Sequence, residues 1–137
     1  MQGDKIGEEH GKVTGTRVLE GDDYRYVKME ISFQTTATIY GVECTNMGTY
    51  TVFERIPGQM YAEGRGVVMT KDGEGAIWNG HGIVRPTGQG MGIRAAFSVA
   101  FQTNSGKLAK LNSVLVIGEH DSDDAGNAHS TLWEWKA

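Results

Sequence analysis

The 137-residue sequence has little of several features that define common protein classes. It has one cysteine, Cys44, which excludes an internal disulfide framework. It has two prolines against twenty glycines, a balance that favours turns and bent strands over helices. No apolar run approaches the roughly 20 residues that a membrane-spanning helix needs. These absences leave an ordinary single-domain globule, for which we expect a cytoplasmic location and no membrane partner.

Basic residues are also few. Thirteen Lys and Arg face seventeen Asp and Glu, which gives a net charge of −4, and the basic residues are spread along the chain. A nucleic-acid-binding surface needs clustered positive charge to neutralise phosphates. We therefore expect no nucleic-acid partner.

Apolar residues recur at every second position through most of the chain, as in half-buried strands. The pattern predicts about eight strands, over residues 12–20, 24–40, 49–56, the two arms of 61–86, 93–103, 113–120 and 128–136. Residues 1–11 are expected to form a flexible N-terminal arm, and residues 12–137 a single domain. Only 106–111 could form a helical turn. Eight antiparallel strands without helices to cover their edges predict an all-β protein, a closed eight-stranded antiparallel β-barrel.

Two segments indicate that part of the outer wall is also covered. Residues 113–117 are apolar on both faces, and the last strand carries Trp133 and Trp135. A second copy of the chain would supply the cover, so we expect a homo-oligomer, with a dimer favoured.

The stretch Tyr61–Pro86 contains the strongest local signal, an Asp72-Gly73 pair between alternating apolar runs, which predicts a hairpin. Glycine inside a strand weakens it unless the backbone bends or approaches another group closely. Four glycines fall within these two strands: Gly64, Gly66, Gly80 and Gly82. The tight coiling of a small barrel accounts for them.

The register of this hairpin determines which side chains face the interior. A two-residue turn pairs Arg65 with Gly80 and Glu63 with Gly82, so each charged side chain faces a glycine that leaves room for a ligand's polar group. The face then carries Glu63, Arg65, Val67, Met69 and Trp78. The alternative is a solvated face on which the two charges form a weak surface pair. A turn longer or shorter by one residue would pair the glycines with each other and reverse the faces.

The opposite face of the hairpin carries Asn79 and His81. An imidazole titrates near neutral pH, so His81 is a candidate general base. A lone histidine on a strand is more often exposed or structural.

The segment EHDSDDAGNAH, residues 119–129, is the second candidate for chemistry. If Asp121 pairs with Ala128, His120 lies opposite His129, and the loop carboxylates could join them around a divalent metal. A calcium loop is excluded, because the position that requires glutamate is Leu132. The alternative is a polar hairpin loop at the barrel rim, and we expect no metal or other cofactor.

Three stretches together resemble a known family: GRGVVMTKDGEGAIWNGHGIVRP, IRAAFSVAFQTNSGKLAKLNSVLVIGEHD and the closing STLWEWK. They are similar to the allene-oxide-cyclase-like barrels, and closest to their small bacterial branch. The resemblance implies an eight-stranded antiparallel barrel that assembles into dimers or trimers. A lipocalin-like barrel is the alternative. The cyclase members ring-close an oxidised fatty-acid epoxide in an apolar cavity. Their active-site residues have no match here, so the activity does not follow.

The sequence therefore supports three hypotheses. The first is a barrel that binds a small apolar or amphipathic molecule, with candidate ligand-binding residues Glu63, Arg65, Met69, Trp78, His81 and Phe97. The second is a cyclase- or isomerase-type enzyme on a lipid-like substrate, in which Glu63 or His81 polarises the substrate. The third is a structural protein whose barrel is filled.

Overall fold

The chain forms one closed antiparallel sheet. A computed structural model describes residues 3–21 and 27–136. The strands are β1 (Lys5–Leu19), β2 (Lys28–Ile39), β3 (Val42–Ile56), β4 (Gln59–Thr70), β5 (Gly75–Pro86), β6 (Ile93–Thr103), β7 (Val114–Ser122) and β8 (Asn127–Lys136). Each strand pairs with the next, and β1 pairs with β8 to close the barrel. The predicted eight-stranded barrel is confirmed; the expected start of the second strand, residues 24–26, lies outside the described residues.

Alternation along the strands separates the interior from the outer wall. In β2, Ile31, Ala37 and Ile39 are buried, whereas Gln34 and Thr38 are exposed. In β6, the predicted apolar face of Ile93, Ala95, Phe97, Val99 and Phe101 points inward. Since the side-chain period of a strand is two, these clean alternations identified the inner face.

The first strand begins earlier than the sequence suggests. Residues 5–11, expected as part of a flexible arm, pair with β2 on one side and β8 on the other. Three inward positions of this segment are Gly7, Glu9 and Gly11 rather than large apolar residues. The segment therefore lacks the apolar alternation that reveals a strand.

A short 3₁₀-helix, η1 (Ala109–Ser113), closes one end of the barrel. Leu108, just before it, and Leu111, within it, are fully buried, and they pack with Ile39, Val68 and Val116 in the main core. The helix is too short to cover a sheet, but it is long enough to seal the mouth of a small barrel. A second cluster, around Ile31, Val52 and Val84, lies further along the interior.

The β4–β5 turn has one residue more than the two-residue turn considered above. The amide of Gly73 donates to the Thr70 carbonyl over 3.1 Å, and the Thr70 amide donates to the Glu74 carbonyl over 2.8 Å. A two-residue type I′ turn requires positive φ at both Asp72 and Gly73, but only Gly73 has it (φ 82°). The observed register pairs Gly64 with Gly80 and Glu63 with His81. The pairing of Glu63 and Arg65 with glycines is therefore wrong, and the one-residue alternative is the one observed.

The interior glycines make room for aromatic rings. A methyl group on Gly66 would lie 2.3 Å from Cζ2 of Trp78, and one on Gly48 would lie 2.6 Å from the same atom. Phe33 stacks beside Trp78, with 6.3 Å between ring centroids. These glycines admit an indole and a phenyl ring side by side inside an eight-stranded barrel.

Part of the outer wall is apolar and exposed. Leu115 pairs with Trp135 across β7 and β8, and both are more than two-fifths exposed. A second row joins Met47, Val67 and Ile77 across β3, β4 and β5. Such surfaces are typical of contacts between proteins, and the homo-oligomer stays a prediction. No helix in the described parts of the chain is long and apolar enough to span a membrane.

Candidate ligand-binding cavity

A cavity of about 100 Å³ lies inside the barrel, between the two apolar clusters. Most of its lining is apolar, and the aromatic part consists of Phe33, Tyr50, Trp78, Phe97 and Phe101. Its polar side chains include Glu9, Asn46, His120 and Ser130. An apolar cavity with a few polar groups is the usual form of a small-molecule site.

A buried carboxyl group anchors the polar part of the wall. Glu9 is 5% exposed, and its Oε2 accepts a hydrogen bond from Nδ2 of Asn46 at 3.0 Å. The Oδ1 of Asn46 accepts in turn from the indole Nε1 of Trp78 at 2.9 Å. Burial raises the pKa of Glu9, and hydrogen bonds from Asn46 and Ser130 oppose the rise. The net effect favours the neutral carboxyl, which can donate as well as accept a hydrogen bond.

A buried imidazole stands on the same side of the cavity. The Nδ1 of His120 is 2.8 Å from the Ser130 hydroxyl, whereas its Nε2 is buried without a partner in the described structure. Burial lowers the pKa of His120 to about 4, so the ring is neutral at physiological pH. Buried polar atoms are normally paired, so this Nε2, on a residue that lines the cavity, is available to a ligand or to water.

Only two of the six expected ligand-binding residues have their side chains inside. Trp78 and Phe97 line the cavity. The side chains of Glu63, Arg65 and Met69 are exposed on the outer wall, because the observed turn reverses the faces of this hairpin.

His81 also projects outward. It is exposed, and its Nδ1 is 3.1 Å from the hydroxyl of Tyr61, another outer residue. Glu63 and His81 are nevertheless among the residues that border the cavity, beside Gly64, Gly80 and Gly82. Because both side chains are exposed, their role as substrate polarisers stays a prediction.

The predicted arrangement of residues 119–129 is wrong in register. Asp121 pairs with His129 rather than with Ala128, and His120 pairs with Ser130. His120 consequently points inward and His129 outward, so they cannot share a metal ion. The loop carboxylate of Asp123 instead accepts the amides of Ala125 and Asn127 and holds the turn.

Comparison with solved structures identifies similar barrels. A protein of unknown function from Clostridium acetobutylicum ATCC 824 has a TM-score of 0.81 at 13% identity, over 99% of this chain and 100% of that chain. A conserved protein of unknown function from Rhodopseudomonas palustris has a TM-score of 0.76 at 13% identity, over 97% and 95%. A beta-barrel-like protein from Acinetobacter baumannii AYE has a TM-score of 0.78 at 12% identity, over 98% and 96%. The likeness shows the fold. No protein-family model and no curated protein matches the chain.

Sequence reasoning missed the polar part of the cavity. Glu9 lies in a segment whose acidic, glycine-containing sequence indicates a solvated arm. Asn46 lies in the stretch 42–48, which carries no clear apolar alternation, and His120 was placed by a register that is wrong. The alternation in β8 does not identify the inner face, because Ser130 shares its face with Glu134 while the opposite face carries Trp133 and Trp135.

Proposed function

We propose that this barrel binds one small, mostly apolar molecule in its interior and engages a polar group of that molecule with His120. The observation that carries the proposal is the buried, unpartnered Nε2 of His120 in a largely apolar cavity. Leaving such an atom unsatisfied costs about 1–3 kcal/mol, which a ligand hydrogen bond would recover in part. The resemblance to allene-oxide-cyclase-like barrels supports the same use of the interior.

The size of the cavity limits the ligand. An apolar cavity of about 150 Å³ accepts benzene, and the cavity here measures about 100 Å³. The molecule is therefore a five-membered ring or a short branched chain, or the end of a longer amphipathic molecule. A whole fatty acid would require the barrel to open.

The polar group of the ligand is best a hydroxyl. If Nδ1 of His120 donates to Ser130, then Nε2 is an acceptor; if Nδ1 accepts from the Ser130 hydroxyl, then Nε2–H is a donor. A hydroxyl can donate a hydrogen bond to Nε2 or accept one from Nε2–H, so it fits either tautomer. One neutral hydrogen bond contributes about 1 kcal/mol, so the alcohol should bind roughly five- to tenfold more tightly than the matching hydrocarbon.

Cyclopentanol and cyclopentane test this proposal, with the indole N–H signal of Trp78 followed by NMR during titration. We expect saturable binding of both, with the alcohol about five- to tenfold tighter in the wild type. Ala95→Leu, which fills the cavity, should abolish binding. The matched control is Ala96→Leu on the outer face of the same strand, which should bind as the wild type does. His120→Leu should bind cyclopentane but lose the preference for the alcohol.

Two results would contradict the proposal. Equal affinity for alcohol and hydrocarbon in the wild type would remove the role of His120. If neither ligand shifts the Trp78 signal in a normally folded protein, the hypothesis of a structural protein with a filled barrel would be favoured.

A second candidate, a cyclase- or isomerase-type enzyme, is supported by the carboxyl of Glu9 and the imidazole of His120 beside one cavity. A neutral carboxyl can donate a hydrogen bond to a carbonyl or epoxide oxygen. It ranks second because an imidazole with a pKa of about 4 is a weak base at pH 7. Deuterium exchange into the α-carbons of cyclopentanone measures this chemistry. Exchange above the buffer rate that is lost in His120→Leu would favour the enzyme, and exchange at the buffer rate would count against it.

A further inference from the structure

A second polar cluster lies on the outer wall, on strands β1 and β8. We propose that Glu8, His10 and His129 bind one divalent transition-metal ion, such as zinc. This site is separate from the cavity, because alternation places all three side chains on the outside while their neighbours Glu9 and Ser130 point inward.

The backbone brings the two imidazoles together. His10 and His129 are direct cross-strand partners in the β1–β8 ladder, and their rings stack with 4.5 Å between centroids. Glu8 lies two residues before His10 and therefore on the same face. Its Oε2 is 3.9 Å from Nε2 of His10.

The donor atoms are close to a metal-binding arrangement. One donor atom from each of the three residues lies within 4.8 Å of the others. In a tetrahedral zinc site, with bonds of about 2.0–2.2 Å, neighbouring donors are about 3.3 Å apart. The donor atoms must therefore come closer to one another by about 1.5 Å. Rotation of the side chains can achieve this, since those of His10 and Glu8 are 69% and 43% exposed.

A fourth residue orients one of the ligands. The Oδ1 of Asp121, on the neighbouring strand β7, is 3.3 Å from Nδ1 of His129. A carboxylate that accepts Nδ1–H leaves the Nε2 lone pair free for a metal, the arrangement found around most metal-binding histidines. Asp121 is thus a positioning residue, and water would complete the coordination.

The surroundings and the donor set select the kind of ion. Lys5 contacts Oε1 of Glu8 at 2.5 Å, which leaves the other carboxylate oxygen to face His10. Two imidazoles and one carboxylate suit zinc, cobalt, nickel or copper, whereas calcium and magnesium prefer oxygen ligands alone.

Isothermal titration with zinc chloride at pH 7.5 tests the site. We expect one zinc ion per chain and broadened or shifted imidazole signals of His10 and His129 in NMR spectra. His10→Ala and His129→Ala each remove a metal ligand. Each should therefore weaken zinc binding by more than the loss of about 10–100-fold that is expected when a residue that only orients a ligand is replaced. The matched control is His81→Ala, which removes another exposed histidine outside the site and should leave the affinity unchanged.

Asp121→Asn should weaken zinc binding by about 10–100-fold without changing the melting temperature, and Asp121→Glu should restore part of the affinity. The proposal is overturned if wild type shows no saturable zinc binding, or if His10→Ala binds as the wild type does. It is also overturned by a stoichiometry of one zinc per two chains, which would indicate a bridge between copies.

Discussion

The packing of Phe97 against Gly118 gives the sharpest prediction of the interior architecture. A Cβ on Gly118 would lie 2.0 Å from Cζ of Phe97 and 2.5 and 2.6 Å from its two Cε atoms. These three nearest atoms belong to one ring, so Phe97 must move by more than 1 Å. The base of this side chain is also closely packed, because a Cβ on Gly82 would lie 2.9 Å from the Cβ of Phe97.

Gly118→Ala should therefore destabilise the protein by about 1–3 kcal/mol, the usual cost of overpacking a well-packed core. For a chain of this length that lowers the melting temperature by about 4–12 °C. Urea and thermal unfolding, followed by circular dichroism, measure the change. Gly15→Ala is the control, since a Cβ there meets nothing within 4 Å, and we expect a change below about 0.5 kcal/mol.

A double-mutant cycle with Phe97→Leu assigns the cost to the ring. With the ring absent, the alanine at position 118 has room, so the double variant should be more stable than the sum of the single effects by at least about 1 kcal/mol. Additive effects, or a Gly118→Ala variant as stable as Gly15→Ala, would refute the packing argument.

Three further predictions concern charge and the outer wall. Because the pKa of Glu9 is raised in the folded state, the wild type should lose stability relative to Glu9→Gln as pH rises above about 4.5, by at most about 1.4 kcal/mol per pH unit. Urea unfolding measures this, and a stability difference between the two proteins that stays constant from pH 4 to 8 would contradict it. Because the pKa of His120 is about 4, its NMR signals should remain those of a neutral imidazole down to about pH 5. Its contribution to stability should be lost as pH falls from 6.5 towards 4. An NMR titration midpoint above pH 6 would contradict this. Leu115→Lys should shift an oligomer towards monomer in light scattering, whereas Gln102→Lys should not; identical masses for both variants would rule out that contact.

The architecture was largely predictable because several strands have one solvent-exposed face and one buried face. In β6, Phe97 and Val99 alternate with Arg94 and Ser98, and in β2 Ile31 and Phe33 alternate with polar residues. Such alternation identifies both the strand and its inner face. The absence of helices then left closure as the way to protect the edges.

The register of the β4–β5 hairpin was not predictable from the Asp-Gly pair alone. The same pair fits a two-residue turn and a longer turn in which only Gly73 has positive φ. The two differ by one residue, and this difference moves Glu63 and Arg65 from the interior to the surface. Local sequence favours both, and the packing of Trp78 over Gly48 and Gly66 distinguishes them.

The candidate site was less predictable than the fold because its polar residues interrupt the apolar pattern. Glu9 sits between Glu8 and His10 and looks like part of a solvated segment. Its burial depends on hydrogen bonding to Asn46, 37 residues away. Long-range polar pairs of this kind leave no periodic trace in the sequence.

The pairing of β1 with β8 has a consequence for how the barrel forms. Seven of the eight strand pairs join consecutive strands, and in each the hydrogen bonds can form progressively from the connecting turn. The last pair brings Glu8 beside Thr131, across almost the whole chain, so the entropy of closing the barrel is concentrated in this one step. A circular permutant that links β8 to β1 would convert that step into a hairpin and move the slow, long-range pairing to the new cut. The order of folding would change while the folded barrel stays the same.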